Sequence, residues 1–151
     1  MATLQAPLRI YSWNLGGTPW YLQQKYIYHF NTGSGSPLYI HMKLSIQETY
    51  PMWLIEAVGY NYGLGASVRC AWGFHKSGAG LYSIGLQNAY GGLNADGIYL
   101  SSDGYPVIRA YAGSQYYQGF ILNAYSTRGD AASSNISVIA ASQNSTSGNY
   151  Y

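Results

Sequence analysis

From Tyr21 onward, short runs of rings, β-branched residues and leucines are separated by glycine and asparagine clusters, the punctuation of strands and turns. Residues 39–46 carry the cleanest pattern. Ile40, Met42, Leu44 and Ile46 fall on one face and Tyr39, His41, Lys43 and Ser45 on the other, so a half-buried strand is predicted there. Before it, Tyr26, Tyr28 and Phe30 alternate with Ile27 and His29 and give way to the loop residues Asn31 to Pro37. Runs of the same style predict strands near 53–62, 68–74, 81–87, 98–101, 105–111, 116–125 and 136–142, with residues 90–97 read as a glycine-rich connection. Between Ile98 and Tyr111 the turn is explicit: Ser102-Asp103-Gly104 supplies the positive φ of a tight hairpin, and Pro106 suits an edge or early strand position. No window has a helical stripe and no segment repeats. Eight or nine short strands in 151 residues predict an all-β antiparallel sandwich or jelly-roll-like domain.

Residues 1–20 break the pattern. Pro7, Pro19 and Gly16-Gly17 stand among Trp13 and Trp20 with no sustained period, which predicts an irregular N-terminal arm ahead of a single β domain over residues 21–151, ending in a Ser/Asn-rich tail. Two tryptophans on such a segment need a surface to cover them, so Trp13 and Trp20 are the candidate assembly residues.

Composition sharpens this picture. Eighteen tyrosines and nineteen glycines accompany a charged fraction of only 8%, a balance that suits subunit contacts and ligand faces better than a bare monomer surface. The seven Lys and Arg are scattered, so nucleic acid is not an expected partner. The N-terminal residues lack a secretory pattern and no stretch reaches spanning length, so membrane insertion is not expected either, and folding in the cytosol of whichever cell makes the protein is. Cys70, flanked by Arg69 and Ala71 between Val68 and Trp72, reads as a small buried hydrophobe.

Candidate chemistry is sparse. Asp96, Asp103 and Asp130 each adjoin a glycine and are explained by turns, while Glu56 in its strand is expected to face solvent or pair with a base such as Arg69. A glycosidase pair would have to combine Glu56 with Glu48 or a turn aspartate, and nothing fixes that geometry. His29, His41 and His75 lack metal-ligand spacing; His29 and His41 are expected at most as a cross-strand ring pair. No enzyme, cofactor or metal is therefore expected. Exposed rings remain, which stack on the apolar faces of sugars while Asn, Gln, Ser and Asp meet the hydroxyls; the candidate ligand-binding residues are Tyr60, Tyr62, Trp72, Tyr116 and Tyr117.

Three segments, Val58-Gly59-Tyr60-Asn61-Tyr62-Gly63, residues 100–109 (LSSDGYPVIR) and residues 116–125 (YYQGFILNAY), resemble tailed-bacteriophage virion proteins. The likeness is to the C-terminal domains of marine and cyanobacterial phage tail fibres, over approximately residues 21–125. It implies a non-enzymatic virion module, homotrimeric, that contacts other virion proteins and a host surface glycan. Unlike tail fibres, which carry an adaptor and a shaft, this chain has its own Met1 and a short arm. That departure raises a second expectation, a capsid-decorating protein whose arm grips the phage head.

Overall fold

The computed structural model describes residues 9–15, 18–32, 38–47, 52–113, 117–126, 136–145 and 147–151, with side chains from residue 39 onward. Ten strands follow in order: β1 (Arg9–Leu15), β2 (Thr18–Thr32), β3 (Leu38–Leu44), β4 (Met52–Asn61), β5 (Ala66–Ser77), β6 (Gly80–Tyr90), β7 (Leu93–Leu100), β8 (Pro106–Ala112), β9 (Gln118–Ser126) and β10 (Val138–Asn144). They form two antiparallel sheets, one of order β1-β2-β9-β4-β5-β6 and one of order β10-β3-β8-β7. The fold is an all-β sandwich.

The period of two decides what lies between the sheets. Trp53, Ile55 and Ala57 of β4, Val68, Cys70, Trp72 and Phe74 of β5, and Phe120, Leu122 and Ala124 of β9 face inward from the large sheet. Ile40, Met42 and Leu44 of β3, Ile108 and Ala110 of β8, and Leu93 and Ala95 of β7 meet them from the small one. The alternation expected for residues 39–46 is thus observed, with Ile40, Met42, Leu44 and Ile46 all buried. The β7–β8 turn also matches: Gly104 has φ +83°, its N–H donates to the Ser101 carbonyl at 2.9 Å, and the Ser101 N–H reaches the Tyr105 carbonyl at 2.8 Å.

Three expectations need correction. The described part of residues 1–20 is not irregular: β1 and the start of β2 pair in an unbroken antiparallel register, Arg9 opposite Gln24 through Leu15 opposite Thr18. Proline is tolerated near the beginning of a strand, and Pro19 is the second residue of β2, so the Pro/Gly punctuation marks the hairpin connection and not a loss of structure. The segment 90–97, read as a connection, already enters β7 at Leu93 and passes Gly97 through a register shift. His29 and His41 are not cross-strand neighbours, because β2 and β3 belong to different sheets.

The outer face of the small sheet is strapped by the C-terminus. The backbone N–H groups of Tyr150 and Tyr151 donate to the Tyr99 hydroxyl at 3.0 and 3.4 Å, and the Ser147 carbonyl accepts from Arg109. Beneath the strap His41 is fully buried, with its Nδ1 2.9 Å from the Tyr99 hydroxyl and its ring against Tyr150. Lys43 lies over the rings of Tyr105 and Tyr151 and pairs with Asp103 at 2.6 Å.

Two measurements test these constraints. Gly59 lies opposite Phe120 where a Cβ would collide with the Gly119 carbonyl, so Gly59→Ala should cost about 3 kcal/mol or more in urea unfolding. Gly104 has open space around its Cα, so the cost of a side chain there is the positive φ, and Gly104→Val should cost about 1–2 kcal/mol. Hydrogen bonds from Lys43 and then Ser101 hold the Asp103 carboxyl below its usual value. The stability it carries is complete above the ordinary aspartate range and is lost as pH falls through the lowered folded value. Unfolding titrations of Asp103→Asn and the parent protein should therefore converge in acid.

Candidate functional site

Opposite in its covering is the outer face of the large sheet, where alternation turns Leu54, Glu56, Val58 and Tyr60 of β4, Arg69, Ala71 and Gly73 of β5, and Ile121, Asn123 and Tyr125 of β9 away from the core. The register arranges these into rows across the strands. Tyr125, Leu54, Gly73 and Gly85 form one; Asn123, Glu56, Ala71 and Gln87 the next; Ile121, Val58, Arg69 and Tyr90 a third. Met52, Leu54, Val58, Tyr60 and Ile121 are all exposed, with the polar row of Glu56 and Asn123 between Leu54 and Val58.

A trough is sunk into this face. Gly73 and Gly85 are directly opposed, so two neighbouring strands lack side chains at one point, and Ala71 adds a third small floor residue. A cavity of about 450 Å³ lies between Leu54, Glu56, Arg69, Ala71, Gln87 and Tyr90, and a second of about 320 Å³ adjoins it over Gly73, Gly85 and Leu86, sharing Leu54, Ala71 and Gln87. Its polar edge is a fork. The Nε and Nη2 of Arg69 both meet Glu56 Oε1 at 2.7 Å, while the Tyr125 hydroxyl donates to Glu56 Oε2 at 3.1 Å. Hydrogen bonding and charge from Glu56 raise the Arg69 pKa above its ordinary value, with a smaller contribution from Tyr90. The pairing of Glu56 with Arg69 is the one expected from sequence.

The same face runs on to the β4–β5 turn, where the candidate tyrosines gather. Tyr60 is 54% and Tyr62 65% exposed, and the Tyr62 N–H donates to the Tyr117 carbonyl at 2.9 Å, which extends the β4–β9 ladder and brings exposed Tyr117 beside them. Tyr117 has φ +57°, a conformation sparsely used by residues other than glycine and concentrated at functional positions. Asn61 fixes this end by donating to the Gly91 carbonyl at 2.9 Å and accepting from the Leu64 N–H at 3.2 Å.

Trp72 is a correction. It is fully buried between the sheets, and its Nε1 donates to the Arg109 carbonyl at 3.0 Å, so it is a core residue and cannot stack on a ligand. The alternation of Val68, Cys70, Trp72 and Phe74 with Arg69, Ala71 and Gly73 carried that answer in the sequence. Tyr116 lies outside the described residues, as do the side chains of Trp13 and Trp20. Sequence reasoning missed the trough residues Gly73, Gly85, Gln87 and Tyr90, since the opposition of two glycines is set by register between strands.

Each described acid has its own cation: Glu56 with Arg69, Asp96 with Arg109 at 2.6 Å, and Asp103 with Lys43. No group of three or more His, Cys, Asp or Glu suited to a metal occurs among the described residues. Cys70 lines the trough from its inner side, buried, and desolvation pushes its thiol up to about 12. It should resist a thiol reagent at neutral pH in the native protein and react stoichiometrically once urea unfolds it; rapid native labelling would contradict its placement.

Comparison with protein-family models, with curated proteins and with solved structures finds no match to this chain.

Proposed function

We propose that this chain is a non-enzymatic bacteriophage virion module of the tail-fibre type, which recognises a host-surface glycan through the outer face of its six-stranded sheet. The observation that carries the reading is the trough at the opposed glycines. It offers a flat apolar floor at Leu54, Ala71, Gly73 and Gly85, a ring at Tyr90, and polar groups of both signs at Glu56, Arg69 and Gln87. A pyranose presents the complementary surfaces, C–H faces for the floor and ring and vicinal hydroxyls for the carboxylate, guanidinium and amide. The described acids, Glu56, Asp96 and Asp103, are occupied by ion pairs in separate places, an arrangement suited to holding a ligand and not to an acid/base pair across a scissile bond. Tyr60, Tyr62 and Tyr117 would extend the surface along a longer glycan, each stacked ring contributing roughly 1 kcal/mol.

A specific observation favours the capsid-decorating alternative. Residues Thr18–Leu22 of β2 pair only with β1 among the described residues, because the pairing with β9 begins at Gln23 opposite Ser126. The β1–β2 hairpin runs on past the last described β2–β9 pair, a ribbon with which a decorating protein would grip a shell. The location of the protein on an imaged virion separates the two readings.

Binding to host cells or a glycan array tests the first. Gly85 has open space where a Cβ would point, so Gly85→Trp should fill the trough without unfolding the domain and reduce binding at least tenfold; Glu56→Gln should weaken it with the same fold. Affinity should change little between low and high salt, since no clustered basic patch contributes. Normal binding by folded Gly85→Trp, or collapse of binding in salt, would overturn the glycan reading.

A further inference from the structure

The large sheet has two edges, β6 and β1, and β6 is unusually bare. Gly80–Tyr90 contains no Lys, Arg, Asp, Glu or Pro, the residues with which proteins ordinarily guard an edge. Every residue from Tyr82 to Tyr90 is exposed, including positions whose phase points inward. Leu86 lies opposite fully buried Trp72, yet is itself 43% exposed, and Ile84 two residues away is 47% exposed. The edge of the small sheet is managed differently: β7 carries Asp96 at a register shift, held by Arg109. Strand β6 is thus unpaired on its outer edge and exposed from Tyr82 to Tyr90, with Asn88 bonded to Ala95 of β7 and Leu81 packed against the core.

At the opposite edge of the same sheet, the β1–β2 hairpin is in complementary need. Five β2 residues, Thr18–Leu22, roughly 17 Å of ribbon, pair with β1 alone among the described residues, and a two-stranded ribbon gains from a further strand. Residues 9–15 and 18–22 include Tyr11, Trp13, Trp20 and Tyr21, with Arg9 as the single charge. The register seats Trp13 opposite Trp20.

We propose that the β1–β2 hairpin of one copy docks on β6 of the next, β1 pairing with the bare β6 edge and the tryptophan-bearing ribbon covering Ile84 and Leu86. Every copy then gives one hairpin and receives one. Such a head-to-tail contact closes into a ring when its rotation permits and removes both edges of the sheet. Neither element carries charges that would repel the other, and the two deficits arise at opposite edges, out of reach within one copy but matched between copies. A ring of three is the arrangement that the tail-fibre reading adds; the docking itself stands independently of any ligand.

Cross-linking between differently marked copies tests it. Ser12→Cys in β1 and Gln87→Cys in β6 are co-expressed as separate chains and treated with a short bismaleimide, buried Cys70 remaining unreactive. The expected result is a linked species joining one chain of each kind, absent from either variant alone, and a ladder ending at the closed ring when both cysteines are placed in one chain. Gln87→Cys linking to itself would mean that β6 pairs with β6, and no linkage would mean that the edge stays open; either overturns the proposal. Leu86→Lys changes an exposed side chain, so it should leave the thermal transition of the domain in place while converting the assembly to monomers in sedimentation. Retained assembly would also overturn it. Both readouts are made without glycan, so their failure is distinguishable from failure of the glycan reading.

Discussion

Trp72 joins the two sheets physically. Its indole fills the space between them and its Nε1 donates to the Arg109 carbonyl on β8, a hydrogen bond from the large sheet to the small one that satisfies a donor otherwise buried without water. A tryptophan fixed inward sets the phase of all of β5. Phe74, Cys70 and Val68 must follow it into the core, while Gly73, Ala71 and Arg69 must turn outward. The trough floor, its cationic edge and the ion pair with Glu56 are consequences of that one side chain's burial.

The two outer faces are finished differently. Over the small sheet, the C-terminal residues bring the ring of Tyr150 against His41 and that of Tyr151 over Lys43. Burial against the small sheet raises the Tyr151 pKa. No comparable described segment lies over the large sheet, which presents Leu54, Val58, Tyr60 and Ile121 to solvent. With charge at 8% of the chain and the described acids each neutralised locally, long-range electrostatics has little to work with. Contacts made here depend on shape, rings and short polar bonds.

Local pattern made much of this legible. Residues 39–46 declared their buried face, Asp103-Gly104 declared its turn, and Glu56 found Arg69 as spacing on adjacent strands suggested. What could not be read was register between distant segments. Gly73 meets Gly85, Tyr62 meets Tyr117, and β2 joins β9 nearly a hundred residues later, none of which leaves a local trace. Pro19 was misleading for the same reason, since a partner strand can hold what local propensity disfavours. Trp72 was misplaced by attention to its ring when the alternation of its neighbours would have buried it.

The central claim is that the large sheet's open face and edges are where this protein meets other molecules, beginning with its own copies. Amide hydrogen exchange of the parent protein, compared between dilute and concentrated solution, reads that directly. The account predicts that amides of Leu81–Tyr90 and Arg9–Leu15 gain protection together as concentration rises, while the Trp72-centred core strands stay slow throughout. Fast, concentration-independent exchange along both β1 and β6 in a folded protein would contradict it.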